Sequence, residues 1–283
     1  MRTWQLWVIV GVLESTAIAE PPEVRSKAAI AIDAASGETI FAKAPDDVRA
    51  IASTTKIFVA LAVRHAGIDL DAWTEIRKSD AAQARGGART RLDVGDHFRN
   101  KDLLRAMLLA SDNRAPTALG RAAGMDADEL VAAMNKVAKR LGLHHTRFTD
   151  PTGLHGNVST PRELAIALRE ALDDDVLREI LGEEEQTVIA RGGRTRIEYT
   201  TTNQPLVAGN FDVLGGKTGY TTAAGYCFVA AARLGERIVV SAFLGADTKQ
   251  ARFEDFARVA RWIEHGGADR AHARLAGKHR SRR

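Results

Sequence analysis

The pattern of apolar and polar positions changes character twice along this chain. Ala28-Ala-Ile-Ala-Ile-Asp33 and Glu38-Thr-Ile-Phe-Ala42 flank the small-residue segment Ala34-Ala-Ser-Gly37, which predicts a β-hairpin. A helical period follows. Ile51-Ala-Ser-Thr-Thr-Lys-Ile-Phe-Val-Ala-Leu-Ala-Val63 places Ile57, Ala60 and Leu61 on one face. Lys101–Leu109 and Asp128–Leu141 repeat the i, i+3, i+4 spacing, and Thr160-Pro-Arg-Glu163 opens another helix with a cap, a first-turn proline and a glutamate three on. After Glu185 the pattern returns to strands. Thr187–Ala190 and Thr195–Tyr199 surround Gly192-Gly193, and Ala224–Arg233 and Arg237–Gly245 are joined by Leu234-Gly-Glu236. A last helix carries Phe253, Phe256, Val259 and Ile263 on one face. Segregated strands and helices, without βαβ alternation, predict an α+β fold: an antiparallel sheet flanked by helices, with a largely helical lobe. The first hairpin and the last strands should share that sheet, since an isolated hairpin is marginal.

The N-terminus adds a targeting reading. Arg2 precedes the apolar run Leu6–Leu13, and Ala17-Ile-Ala19 has the small residues of a cleavage site, the layout of a secretory signal peptide. Eight apolar residues fall short of the roughly 20 that span a bilayer. The expected organisation is a signal peptide over 1–19, a catalytic domain over 20–266 and a basic tail over 267–283. The expected location is the periplasm or cell envelope. A retained N-terminal anchor is the alternative.

Charge is modest overall, +4, but unevenly placed. The tail from Gly267 carries six basic residues against Asp269, whereas Glu20–Gly266 sums to −1. A solvated tail is the plain reading, and a weak contact with an anionic wall or membrane surface the sharper one. Nucleic acid is not an expected partner, because no aromatic-interleaved basic surface accompanies those charges. The single cysteine, Cys227, excludes an intramolecular disulfide and reads as a buried small hydrophobe. Eight histidines are scattered without metal-ligand spacing, so no metal or other cofactor is expected. Gly86-Gly87-Ala-Arg89 reads as a loop near a cleft, and Arg252 as a residue paired to an interior acid or facing a substrate carboxylate.

Candidate chemistry begins with a misplaced charge. In Ser53-Thr-Thr-Lys56 the hydroxyl and amine lie three apart, neighbours on one helical face. A helix N-terminus favours an anion at that third position, and burial also opposes an ammonium. A neutral amine beside a serine is a base beside a nucleophile. Alone, the tetrapeptide more often marks a lysine that carries its head to solvent. Ser111-Asp-Asn113, on a helix-to-helix connection, and Lys217-Thr-Gly219, ahead of a strand-like run, are each weak alone. The three in this order are the motif set of β-lactamases and penicillin-binding proteins.

From about Ala28 to Ile263 the chain resembles the serine D-Ala-D-Ala carboxypeptidase family of penicillin-binding proteins. The segments that carry the likeness, besides the three motifs, are Met134-Asn135 with Leu141-Gly142, Phe148–Leu154, Asn203, Lys217–Cys227 and Ala251–Glu254. Asp112 stands where a glycine is more usual in that family. Asn113-Arg114, Asp150-Pro-Thr-Gly-Leu154 and the lack of a C-terminal β-domain are more similar to its murein endopeptidase branch.

The resemblance implies a β-lactamase/transpeptidase-like fold and a site without metal or cofactor. Ser53 would be the nucleophile, Lys56 its general base and Ser111 a proton relay. Asn113 would hold the substrate amide, Lys217 and Thr218 the substrate carboxylate, and Gly219 would let substrate lie against the strand. The backbone N–H groups of Ser53 and Tyr220 would form the oxyanion hole. Peptidoglycan stem peptides would be substrates and β-lactam antibiotics covalent inhibitors.

A class A-like β-lactamase is one alternative. It needs a carboxylate for deacylation, yet His145-Thr-Arg-Phe-Thr-Asp-Pro151 stands where Glu-x-x-x-Asn would fall. A non-enzymatic penicillin-binding sensor is the other, and the complete set of catalytic groups argues against it.

Overall fold

A computed structural model of the chain describes residues 20–267. The expected signal peptide over 1–19 and all but the first residue of the basic tail lie outside the described residues. The opening hairpin is β1 (Ala28–Asp33) and β2 (Thr39–Lys43). Asp33 shapes its turn by accepting from the N–H groups of Ala35 and Ser36. Next comes β3 (Arg49–Ala50), a 3₁₀ turn over Ala52–Thr55, and α1 (Lys56–His65). The helical lobe continues with β4 (Trp73–Glu75), α2 (Lys78–Gln83), β5 (His97–Arg99), α3 (Asn100–Leu108), α4 (Ala115–Ala122) and α5 (Ala127–Arg140). Then follow β6 (Val158–Ser159), α6 (Pro161–Asp173), α7 (Asp175–Leu181), the hairpin β7 (Glu185–Ile189) and β8 (Arg196–Thr200), and α8 (Gln204–Ala208). Three ten-residue strands, β9 (Asp212–Thr221), β10 (Gly225–Leu234) and β11 (Arg237–Ala246), precede α9 (Ala251–Glu264).

Five strands form one antiparallel sheet in the order β2-β1-β11-β10-β9. Ala28 lies opposite Leu244 and Asp33 opposite Val239, so the first hairpin and the last strands do share a sheet. The inner strands are buried on both faces, which is why they read as apolar blocks rather than as strict alternation. Ile30, Ile32, Val229 and Ala231 join the core shared with the helical lobe. Ala29, Ala31, Phe228 and Ala230 join a second core under α9. All four residues assigned to the apolar face of α9 are buried there. Phe228 packs edge-on against Phe253 and Phe256, with ring centroids 5.1 and 5.7 Å away, and so pins α9 to the sheet.

Three sequence expectations need correction. Lys217-Thr-Gly219 does come before the strand of the following run, β10, but it is not a connection: it lies inside β9, an edge strand of its own. Its three glycines hid it, because glycine is a poor strand former. Close approach demands all three, Gly215 against Leu181 among them. A side-chain carbon at Gly216 would sit 2.5 Å from the Val229 carbonyl oxygen, and one at Gly219 2.9 Å from the Ser53 nitrogen. Second, α1 starts at Lys56, and Ser53 occupies the preceding 3₁₀ turn. Third, Thr160 does cap α6 by accepting from Glu163 N–H, but Glu163 does not return the bond. Its carboxylate instead receives His145 N–H and the Thr146 hydroxyl, tying the start of α6 to the loop after α5.

Phe228→Ala should cost about 3–5 kcal/mol, the usual loss for a buried aromatic side chain. Urea denaturation checks this, and the loss should come without change at the cleft described below.

Candidate active site

The 3₁₀ turn carrying Ser53 is pressed between β9 and the loop after residue 149. Gly219 leaves room on one side. On the other, a side chain at Gly153 would lie 2.2 Å from the Ala52 carbonyl oxygen, and φ of +87° there also requires glycine. The 149–157 loop is built around Asp150. Its carboxylate accepts from the N–H groups of Thr152 at 2.6 Å, Gly153 at 3.1 Å and His155 at 2.9 Å, and from the Thr152 hydroxyl. Asn157 holds the same loop, donating to the Asp150 carbonyl and to Thr55 Oγ1. The result aims the Thr152 carbonyl at Lys56.

Lys56 is fully buried and its amine has three neighbours: Asn113 Oδ1 at 2.6 Å, the Thr152 carbonyl oxygen at 2.7 Å and Ser53 Oγ at 3.1 Å. The first two can only accept. A neutral amine has two hydrogens, and these acceptors take both. Its lone pair is then left for the Ser53 hydroxyl, the arrangement a general base needs. Burial drives the amine toward neutrality, pulling its pKa from 10.5 to about 7 against the opposing pull of Asp150 and Asp112.

The second lysine completes the opposite wall. Lys217 is buried and donates to Ser111 Oγ at 3.1 Å and to the Thr218 carbonyl at 3.0 Å. Burial holds its pKa well below the ordinary value, and Lys56 and Arg252 lower it further. Ser111 sits between α3 and α4 at φ +64°, a left-handed conformation unusual for serine. Thr218 shares a 2.6 Å hydrogen bond with Thr202, a cleft residue with no role in the sequence reading. Arg252 has no interior acid. Its guanidinium donates to the Gly219 and Cys227 carbonyls at 2.9 and 2.8 Å and lies over the Tyr226 ring, which stacks on the exposed Tyr220. Cys227 is buried.

Asp112 explains its own departure from glycine. Its carboxylate accepts from Arg91 N–H at 2.7 Å, Arg114 N–H at 3.0 Å and the Tyr199 hydroxyl at 3.0 Å. It therefore joins the loop between α2 and β5, the turn of Ser111 and β8. Gly87 closes against Asn113: a side-chain carbon there would meet Asn113 Nδ2 at 2.1 Å. The sequence signal for Asp150 was present, since Asp-Pro-Thr-Gly is turn chemistry; which carbonyl that turn would present was not.

A cleft of about 530 Å³ opens over these groups. Ser53, Ser111, Asn113, Thr218, Gly219, Tyr220 and Arg252 all line it, together with Gly86–Ala88. The candidate catalytic and substrate-binding residues therefore line the cleft, and Lys56 and Lys217 bond the serines that do. No Asp or Glu lines it among the described residues. Nor do the described residues group three His, Cys, Asp or Glu side chains where a metal ion would sit.

A serine hydroxyl, a buried amine drawn toward neutrality and a second buried lysine beside Arg252 make an arrangement suited to acyl transfer of the serine–lysine class. Residues 15–248 match the D-alanyl-D-alanine carboxypeptidase family of serine peptidases, and the chain belongs to that family. It is 30% identical over 249 residues to a D-alanyl-D-alanine endopeptidase of Escherichia coli, covering 88% of this chain and 80% of that one. A D-alanyl-D-alanine carboxypeptidase of a Streptomyces species is 30% identical, with 88% and 90% covered. The solved structure of a Streptomyces DD-transpeptidase superposes with a TM-score of 0.80 at 29% identity, over 86% of this chain and 98% of that one.

The rate at which Ser53 is acylated should rise with pH and level off above about 7, because only unprotonated Lys56 accepts the serine proton. Stopped-flow acylation across pH 5–9 reads this limb directly. Lys56→Ala should fold, lose the limb and acylate on the order of 100-fold or more slowly. The linked stability effect has a definite sign. Between about 7 and 10.5 the unfolded chain binds a proton at Lys56 that the folded protein does not. The cost of burying Lys56 is therefore full below 7 and fades as pH rises to 10.5. Relative to Lys56→Met, the wild-type protein should gain stability over that window in parallel denaturant titrations.

Proposed function

We propose that the protein is a serine DD-peptidase of peptidoglycan, hydrolysing the bond that follows D-Ala in stem peptides. The carrying observation is the pair of obligate acceptors, Asn113 Oδ1 and the Thr152 carbonyl, that leaves the Lys56 lone pair to Ser53. Ser53 attacks the D-Ala carbonyl while Lys56 takes its proton. The backbone N–H groups of Ser53 and Tyr220 receive the oxyanion. Ser111, bonded to Lys217, relays a proton to the leaving amine and is recharged with the one Lys56 took, so the amine departs, an acyl-enzyme remains and Lys56 is neutral again. Water, activated by Lys56, then releases the acyl group. Lys217, Thr218 and Arg252 supply positive and donor groups for a terminal carboxylate, Asn113 holds the substrate amide, and the edge strand β9 lets the peptide add to the sheet.

The lack of an acid in the cleft favours a peptidase over a β-lactamase. Asp150, the nearest candidate, already accepts from four donors of its own loop and is not free to activate water. β-Lactams should therefore acylate Ser53 and leave slowly. Between the two DD-peptidase reactions, the family likeness favours the endopeptidase, whose leaving group is the amine of a neighbouring stem. The N-terminal segment implies export to the periplasm or envelope, with the basic tail as a weak anionic-surface contact.

Ser53→Ala should fold and lose all covalent labelling by a fluorescent penicillin; persistent labelling would move the nucleophile elsewhere. Incubation with purified cross-linked dimers and monomeric pentapeptides, followed by mass spectrometry, separates cross-link cleavage from D-Ala release. Rapid nitrocefin turnover would overturn the peptidase reading.

A further inference from the structure

Two segments of nearly the same sequence lie far apart in the chain and side by side in the fold. They are Ala84-Arg-Gly-Gly-Ala-Arg-Thr-Arg91 and Ala190-Arg-Gly-Gly-Arg-Thr-Arg196. The first follows α2 and runs along the cleft mouth, where Gly86, Gly87 and Ala88 form part of the wall. The second is the tip of the β7–β8 hairpin. Three contacts link one end of each segment to the chain that flanks the other. The Arg91 guanidinium donates to the Glu198 carbonyl and lies 5.4 Å from the centre of the Tyr199 ring, and Arg191 N–H donates to the His97 carbonyl at 2.8 Å. The first segment also hangs on Asp112 through Arg91 N–H, and β8, the strand that follows the second, does so through the Tyr199 hydroxyl. The hairpin is thus tied to the turn that carries Ser111 and Asn113.

Their six arginines, Arg85, Arg89, Arg91, Arg191, Arg194 and Arg196, are all exposed. None makes an ion pair among the described residues. Arg64, Arg105, Arg121, Arg162 and Arg258, by contrast, each hold a carboxylate. Glu198 is the one acid within 84–91 and 190–198. Glu20–Gly266 sums to −1, so this positive charge is local and not a property of the whole surface. Six like charges on adjoining loops repel one another, and an anionic ligand relieves that repulsion.

The placement selects the ligand. The track begins in the cleft wall at Gly86–Ala88 and leads outward along β8. From Thr202 in the cleft to Arg196 is six positions, about 20 Å of extended chain. A chain that leaves the cleft past Thr202 and follows β8 would run onto the arginines. Guanidinium forks match carboxylates bidentately.

We propose that these two loops form a docking subsite for an acidic peptide: the carboxylate-bearing part of the substrate that extends out of the cleft beyond the reacting bond. The proposal rests on the DD-peptidase reading and assigns that enzyme a preference for stems with free side-chain carboxylates. The arginines raise the local concentration of such stems and hold them in register, while the chemistry at Ser53 is unchanged.

The test uses two fluorescein-labelled peptides ending in the same D-Ala-D-Ala, one with free upstream carboxylates and one with them amidated. Binding is read by anisotropy on Ser53→Ala protein, with and without the added changes Arg191→Ser, Arg194→Ser and Arg196→Ser. These side chains are exposed and outside the catalytic cleft. The acidic peptide should lose about tenfold in affinity on removal of the three arginines, and the amidated peptide should not change. The loss should shrink as salt is raised. In the protein that retains Ser53, the same three changes should raise KM for the acidic peptide and leave kcat and penicillin acylation as they were. Equal affinity of the two peptides for the unaltered loops overturns the subsite, as does an equal loss for both. Unchanged peptide affinity with lost retention on a phosphate-bearing wall polymer overturns it in favour of that polymer. Failure of the DD-peptidase reading has a different sign: neither peptide is cleaved by the protein with Ser53 intact, whatever the binding shows.

Discussion

The structure depends on keeping one amine dry and correctly aimed. Lys56 is buried where an ammonium is costly, and its two hydrogens have fixed acceptors. That constraint explains features otherwise unrelated. Thr152 must present a carbonyl rather than an N–H, so the 149–157 loop is wound around Asp150. Asn113 must present its oxygen, so its other face is closed by a glycine at 87. The nucleophile turn must sit within 3.1 Å of the amine, so β9 carries a glycine where the two touch. The Ser53 turn is held between β9 and the 149–157 loop, and a glycine permits the approach on each side.

Charge follows the same logic. Lys56, Lys217 and Arg252 share one small region, and among the described residues no carboxylate pairs with the latter two. Lys56 and Arg252 both lower the proton affinity of Lys217, and burial lowers it most. The acids that could relieve this, Asp112 and Asp150, are held back from the cleft by bonds to backbone N–H groups. They act as frames for turns, and at a distance they keep the Lys56 pKa near neutrality instead of lower still. The cleft is left with a positive wall, suited to a substrate that brings its own carboxylate.

Much of the fold was legible because burial and period agree. The hairpin, the amphipathic helices and the closing strand pair follow from apolar spacing, and α9 shows its four apolar positions as read. The failures have a common cause. β9 was missed because its glycines answer to the neighbouring turn, to β10 and to Ser53, contacts far away in sequence. The partners of Glu163 were not legible because they come from the loop after α5, which takes the carboxylate that a capping box would use. Local propensity carries no information about either.

The site divides in the same way. The sequence by itself determined which groups exist and in what order: Ser53 with Lys56, Ser111 with Asn113, and Lys217-Thr-Gly219. It also determined that a lysine at a helix N-terminus in an apolar run resists protonation, since dipole and desolvation act locally. Only the tertiary structure decided that Lys56 meets two obligate acceptors, that Arg252 finds carbonyls and no acid, that Asp112 braces three segments, and that two copies of one arginine-glycine sequence meet beside the cleft. Those outcomes are set by contacts between residues up to 106 positions or more apart, such as Ser111 and Lys217. The direction of a lone pair or a carbonyl is decided by packing, which no spacing along the chain records.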